Sequence, residues 1–152
     1  MFVYRIVKSK KRTKDLSGIG AYLEGGRWNN EDTFALYTSE NQDLAMLELL
    51  VHIDESELPP NMFVMKIEID DSAPILKINE DDLPKNWRVP DNNDLKEIGD
   101  KILENKKHIA VKTPSAVMPG SYNYVLNPLY PDYHDQVKVV GGRELLVDKR
   151  LK

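Results

Sequence analysis

Phe34-Ala35-Leu36-Tyr37-Thr38-Ser39, followed by Leu44-Ala45-Met46-Leu47-Glu48-Leu49-Leu50-Val51, is the stretch that decides the fold. The first segment has the apolar and aromatic character of a buried strand. The second is apolar on nearly every side, as buried helices are. The pair predicts a strand running into a helix over 40–52, with Ser39 as N-cap and Gln42 completing a capping box. The acids Asp54, Glu55 and Glu57 and the pair Pro59-Pro60 then end it. One residue stands out. Glu48 is the only charge in its run, and an isolated carboxylate among apolar groups is costly unless it is paired or put to use.

Outward from this unit, residues 2–7 read as a first strand, 61–70 as another and 108–113 as a third. The Pro-, Asp- and Asn-rich segment 71–93 reads as a long connection holding a short strand over 74–78, with Trp87 as a packing anchor. Asn93 is placed to cap a helix over 94–105, whose apolar side is Leu95, Ile98, Ile102 and Leu103. The tail reads as a hairpin, 136–140 and 144–147, turning at Gly141-Gly142. Gly18, Gly20, Gly25 and Gly26 permit sharp turns, and their segment lacks the lysine and Ser/Thr ending of a phosphate loop. Segment 121–128 carries Asn123, Tyr124 and Asn127 after the turn signal Pro119-Gly120. With no repeat and no linker, the expectation is one mixed α/β domain over 1–152, of several strands and few helices.

The bulk numbers narrow the function. A chain of 152 residues supports one real core. A net charge of −4 argues against nucleic-acid binding through an overall positive field. The basic stretch Lys8, Lys10, Lys11, Arg12, Lys14 reads as a solvated loop. The absence of cysteine removes disulfides, thiolate metal sites and a cysteine nucleophile, and fits a reducing cytoplasm. His52, His108 and His134 share no helix-face metal spacing, so no metal is expected. No apolar run approaches the roughly 20 residues that span a bilayer.

Each candidate site residue has two readings. Glu48 is either half of a buried ion pair or a carboxylate facing a cleft, able to bind sugar hydroxyls and steady positive charge at an anomeric carbon. Arg27, between Gly26 and Trp28, offers a fork for phosphate or carboxylate, or closes a salt bridge. Tyr37 is a core tyrosine or a ring on which an aromatic ligand stacks. Ser115, behind Pro114, is a strand-end hydroxyl or a ligand contact. A hydrolase nucleophile is disfavoured, because no Gly-x-Ser-x-Gly elbow is present. Asn123 and Asn127 are turn formers or paired donors and acceptors for a polar ligand.

Taken in order, Tyr4-Arg5, Gly20-Ala21, Gly25-Gly26-Arg27-Trp28-Asn29, Leu36-Tyr37-Thr38-Ser39, Ala45-x-Leu47-Glu48-x-Leu50-Val51-His52, Pro114-Ser115-Ala116-Val117, Asn123-Tyr124, Asn127-Pro128 and Arg150-Leu151 resemble the RES-domain family, named for its arginine, glutamate and serine. The resemblance covers nearly the whole chain. It implies a fold like that of ADP-ribosyltransferase toxins, a split mixed β-sheet with flanking helices and an NAD cleft. It implies a cytoplasmic toxin of a toxin–antitoxin pair, held by a helix-turn-helix (Xre-type) antitoxin. It implies that Arg27, Glu48 and Ser115 are catalytic and that Tyr37, Asn123 and Asn127 join them around NAD. NAD would be consumed as substrate, by phosphorolysis with inorganic phosphate or by hydrolysis; transfer of ADP-ribose to a protein and a non-catalytic binding module are the alternatives. Two departures stand against the family pattern: Asn30-Glu31-Asp32-Thr33 follows Arg-Trp-Asn where many relatives carry proline, and Asn127-Pro128-Leu129 leads to Tyr130 where many carry histidine.

Overall fold

The computed structural model describes residues 1–151; Lys152 and the Glu55 side chain lie outside the described residues. Seven strands form one sheet in the order β4-β5-β6-β2-β1-β3-β7. They are β1 (Phe2–Val7), β2 (Leu36–Ser39), β3 (Asn61–Ile69), β4 (Ile75–Lys77), β5 (Ala110–Pro114), β6 (Tyr122–Leu126) and β7 (Val137–Leu146). Only β4 and β5 run parallel, so the sheet is mixed. Among the described residues four α-helices accompany it: α1 (Ile19–Glu24), α2 (Gln42–Leu50), α3 (Asn93–Glu104) and the single turn α4 (Tyr133–Gln136). No helix among the described residues is long and apolar enough to cross a membrane.

The sheet is split in the middle. β1 pairs with β3 over six residues but meets β2 at the single register pair Tyr4↔Ser39. Across this gap the Arg5 guanidinium donates to the Tyr37 carbonyl at 2.9 Å, supplying a donor where the ladder supplies few. Burial lowers the pKa of that guanidinium.

Side chains alternate between the two faces of a strand, and this alternation sorts the core. Val3, Val7, Leu36, Met65, Ile67, Leu126 and Tyr133 fill one face. On the other face there are two clusters. Ile6, Met62 and Val64 pack under α2 through Ala45, Met46 and Leu50. Val111 and Val125 pack under Trp28, Trp87 and α3 through Leu95 and Leu103. Between the two clusters runs a row of directly paired residues, Tyr4–Ser39–Asn123–Thr113. Three of these four side chains are polar, and two of them, Ser39 and Thr113, are buried between the clusters.

Several sequence expectations are corrected here. Ser39 does not cap α2; Asn41 does, accepting the Leu44 N–H at 2.8 Å. Asn92 rather than Asn93 caps α3. Residues 137–146 form one continuous edge strand, not a hairpin: Gly141 and Gly142 pair with Lys66 and Met65, and a register irregularity follows at Lys66/Ile67. The Gly-rich segment contains α1, entered from Gly18 at φ 73°. Segment 121–128 contains a central strand, β6. Trp87 is buried in the core as expected, and Lys8 to Lys14 flank a short, solvated helical turn.

Candidate active site

Glu48 sits on α2, half-buried, facing the polar row. The Ser115 hydroxyl donates to its Oε1 at 2.6 Å, and the Asn123 amide Nδ2 donates to the same oxygen at 2.6 Å. These are short, charge-assisted bonds. Oε2 has no hydrogen-bond partner among the described residues, and it is not among their buried unsatisfied atoms. One carboxylate oxygen is thus clamped, and the other is left unpartnered without being sealed away.

Ser115 is almost fully buried, at 1% exposure. Its oxygen also accepts the N–H groups of Val117 and Met118 at 3.1 and 3.0 Å. A hydroxyl has one proton and two lone pairs, so Ser115 is saturated. Its role in this geometry is to hold Glu48. Asn123 keeps one amide proton uncommitted among the described residues and receives the Ser39 hydroxyl on Oδ1 at 2.7 Å.

Tyr37 lies two residues before Ser39 on β2, on the same face and about 6.6 Å along the strand. Its hydroxyl is enclosed: it accepts the Trp28 N–H at 2.9 Å and donates to Asn29 Oδ1 at 2.6 Å. Burial pushes the phenol pKa up. A Cβ on Gly26 would lie 2.6 Å from that hydroxyl, so only glycine lets the loop close against the hydroxyl end of the ring. Asn29 is fully buried and donates to the carbonyls of Ala21, Asn30 and Thr33. Arg27 is carried between these fixed neighbours. Its Nη1 donates to the Trp87 carbonyl at 3.1 Å, and no carboxylate lies within ion-pair range of it among the described residues. The expected alternative of a Glu48–Arg27 salt bridge is therefore not formed.

Asn127 is set apart from the cluster. It is 1% exposed, its Nδ2 donates to the carbonyls of Leu103 and His108, and its Oδ1 accepts the Leu129 N–H. Both its amide protons and one lone pair of Oδ1 brace the loop after β6, and none of these bonds reaches Glu48, Ser115 or Asn123. Glu48, Ser115 and Asn123 are brought into direct contact; Tyr37, on β2, is hydrogen-bonded to the loop that carries Arg27. Two surface grooves, of about 510 and 160 Å³, lie away from Glu48: the first beside Lys10 and Phe63, the second beside Met46 and Leu146. Side-chain chemistry, not cavity size, marks the site.

Sequence reasoning missed Ser39 as a member of this cluster. Period-two alternation from Tyr37 was the available signal.

The division of labour in Tyr37 makes a testable claim. Tyr37→Phe keeps the ring but strands the Trp28 N–H and the Asn29 side-chain Oδ1 in a buried place. The expected result is a stability loss of about 1–3 kcal/mol, read in urea unfolding as a lower midpoint at unchanged slope.

Against known families, residues 2–148 match the family described as RES domain. The chain belongs to the RES domain family. It is 36% identical over 153 residues to a protein named Toxin Res from Photorhabdus laumondii subsp. laumondii, covering 99% of this chain and 97% of that one. It is 31% identical over 140 residues to the Prs ADP-ribosylating toxin of a Sphingobium species, covering 90% and 86% respectively. The crystal structure of the M. tuberculosis MbcT–MbcA toxin–antitoxin complex contains a chain of the same fold, with a TM-score of 0.73 at 20% identity, covering 99% of this chain and 85% of that one. Within this RES domain Glu48 and Ser115 are hydrogen-bonded to each other, and Arg27 is bonded to neither of them.

Proposed function

We propose that this RES-domain chain is the toxin of a toxin–antitoxin pair and cleaves NAD at the bond between nicotinamide and ribose. The observation that carries the reading is the asymmetric carboxylate. Glu48 has Oε1 fixed by two donors and Oε2 unpartnered among the described residues, over the sheet face that also carries Tyr37, whose hydroxyl is bonded to the loop of Arg27. Two relatives are named as toxins, one of them as ADP-ribosylating, which supports chemistry on a nicotinamide dinucleotide.

The chemistry suits the residues. When the C1′–N bond breaks, its electron pair leaves with the pyridinium, which departs as neutral nicotinamide and needs no general acid. Positive charge develops on the ribose as an oxocarbenium-like state. Glu48 accepts a ribose hydroxyl on Oε2 and steadies that charge; pre-fixed charge of this kind stabilises a transition state without reorganisation. Arg27, with most of its fork uncommitted, binds a phosphate of NAD or an incoming phosphate. The Tyr37 ring flanks the nicotinamide. Ser115 acts through Glu48. The acceptor then bonds to C1′: inorganic phosphate gives ADP-ribose 1″-phosphate, and water gives ADP-ribose with loss of a proton. The reading extends to a helix-turn-helix antitoxin partner and to the cytoplasmic NAD pool as target.

The test is nicotinamide release from NAD by the purified chain, with and without inorganic phosphate, and identification of the ribosyl product. The expected result is release with a soluble ADP-ribosyl product; no release under either condition would sink the proposal. A second reading is favoured by the ADP-ribosylating relative: the same cleavage with a protein side chain as acceptor. Radiolabel from the adenylate half that becomes protein-bound identifies it.

A further inference from the structure

We infer that Ser39 is a positioning residue of this site, acting on Glu48 through the Asn123 amide. The inference rests on the NAD-cleaving reading and adds a residue outside the arginine, glutamate and serine of the family name.

The donor–acceptor order of the chain is forced by chemistry. An ionised carboxylate only accepts hydrogen bonds. At 2.6 Å from Glu48 Oε1, Asn123 must therefore present its NH₂ group and not its carbonyl. That turns Oδ1 toward the strand on its other side. There the Ser39 hydroxyl, 3% exposed, donates to Oδ1 at 2.7 Å. Ser39 and Asn123 are direct cross-strand partners between β2 and β6, so the bond is set by sheet register and not by flexible loops. The other cross-strand neighbour of Asn123 does not share the task. Thr113 is directly paired with it on β5, yet its Oγ1 is buried without a hydrogen-bond partner. Among the described residues Ser39 alone holds the amide oxygen.

The consequence is orientational. An amide is nearly symmetric in shape, and a half-turn about its last bond exchanges oxygen and nitrogen. The carboxylate decides which way the amide faces, because a hydroxyl can accept as well as donate. Ser39 adds an anchor: its bond to Oδ1 holds the far side of the amide, so that the NH₂ group meets Glu48 Oε1 at a fixed place. Without Ser39 the amide is held on the Glu48 side alone, the clamp on Oε1 loosens, and Oε2 loses its fixed aim. Misplacement of a catalytic group on the order of 1 Å costs about a hundredfold in rate; partial loss of aim, with Ser115 still bound, should cost about tenfold.

The experiment measures nicotinamide release from NAD, in the presence of inorganic phosphate, for wild type, Ser39→Ala, Ser39→Thr, Asn123→Ala and the double variant Ser39→Ala/Asn123→Ala. Ser39→Ala is expected to lower kcat about tenfold with KM little changed, because Glu48 acts on the transition state. Ser39→Thr, which keeps the hydroxyl, should restore most of the rate. The double variant should be no slower than Asn123→Ala alone, since Ser39 has no other route to Glu48. Thermal unfolding of each variant separates folded fraction from rate. A wild type that releases nicotinamide together with a Ser39→Ala variant of wild-type kcat, or with effects that multiply in the double variant, overturns the inference alone. A wild type that releases none overturns the NAD reading and this inference with it.

Discussion

Glu48→Gln will fold and will lose nicotinamide release by about a hundred- to a thousandfold, the usual cost of deleting one preorganised electrostatic contact, about 2.7–4 kcal/mol of barrier. The fold survives because the replacement is nearly isosteric and its carbonyl still accepts from Ser115 and Asn123 at the Oε1 position. That choice of rotamer is enforced, since the reverse would set the new NH₂ against two donors. The same constraint ruins the chemistry. Glutamine then offers an NH₂ where Oε2 stood, a donor where the ribose hydroxyl needs an acceptor and a neutral group where the sugar carries positive charge. Stability should change by no more than about 1 kcal/mol, since two neutral hydrogen bonds replace two charge-assisted ones. Nicotinamide release, read beside thermal unfolding, checks both halves. A folded Glu48→Gln that consumes NAD at the wild-type rate removes Glu48 from the mechanism.

How far the sequence foretold this depends on what kind of information each element uses. The strand and helix around Tyr37 and Glu48 were legible because apolar content and period are local properties. The family was legible from ordered motifs spread over the chain. Ser39 was misread because Ser and Asn cap helices about equally well; Asn41 stands nearer the helix start, and strand alternation turns Ser39 toward Asn123 instead. β6 went unread because Tyr122-Asn123-Tyr124 lacks a plain β-pattern. Its place between β2 and β5 comes from long-range pairing, and Asn123 is turned inward to meet a carboxylate on another element. Gly141-Gly142 carries the strongest local turn signal in the tail, yet β3 is long enough to pair past both, and the extra residue is absorbed as an irregularity in register. The split between β1 and β2 is the deepest case: it is an absence of pairing, which no local pattern announces. For the site, residue types were readable but committed capacities were not. Nothing in Pro114-Ser115 shows that both lone pairs go to Val117 and Met118, or that Asn127 spends itself on two carbonyls.

Gly99→Ala should be strongly destabilising, against the direction that helix propensity alone dictates. In an exposed helix interior this change stabilises by about 1 kcal/mol. Here a Cβ at position 99 would lie 1.7 Å from the Trp28 carbonyl oxygen and 2.6 Å from its carbonyl carbon. Ordinary contacts of this kind are roughly 3.5 Å, and the opposing atoms are backbone, which cannot rotate aside. α3 therefore rests directly on the loop that presents Arg27. The next residue fastens the same contact: Asp100 accepts from the Asn30 N–H at 3.0 Å and from its Nδ2 at 2.7 Å. To admit one methyl group, either α3 lifts from Leu95 and Leu103 or the loop moves with Arg27 on it. Overpacking typically costs about 1–3 kcal/mol and sometimes more; backbone against backbone places this case at the upper end, about 3 kcal/mol. For a chain of this size that is a fall in Tm of about 6–12 °C. Gly141→Ala is the control. It adds the same methyl group where only Lys66 Cβ, at 3.7 Å, is met, and should stay within about 0.5 kcal/mol of wild type. Activity carries the argument further. At a temperature where Gly99→Ala is still folded, nicotinamide release should drop by more than the folded fraction explains, because a shift of about 1 Å in Arg27 misplaces the phosphate it holds. A loss of stability with full activity in the folded fraction would show that α3 supports the fold without setting the place of Arg27.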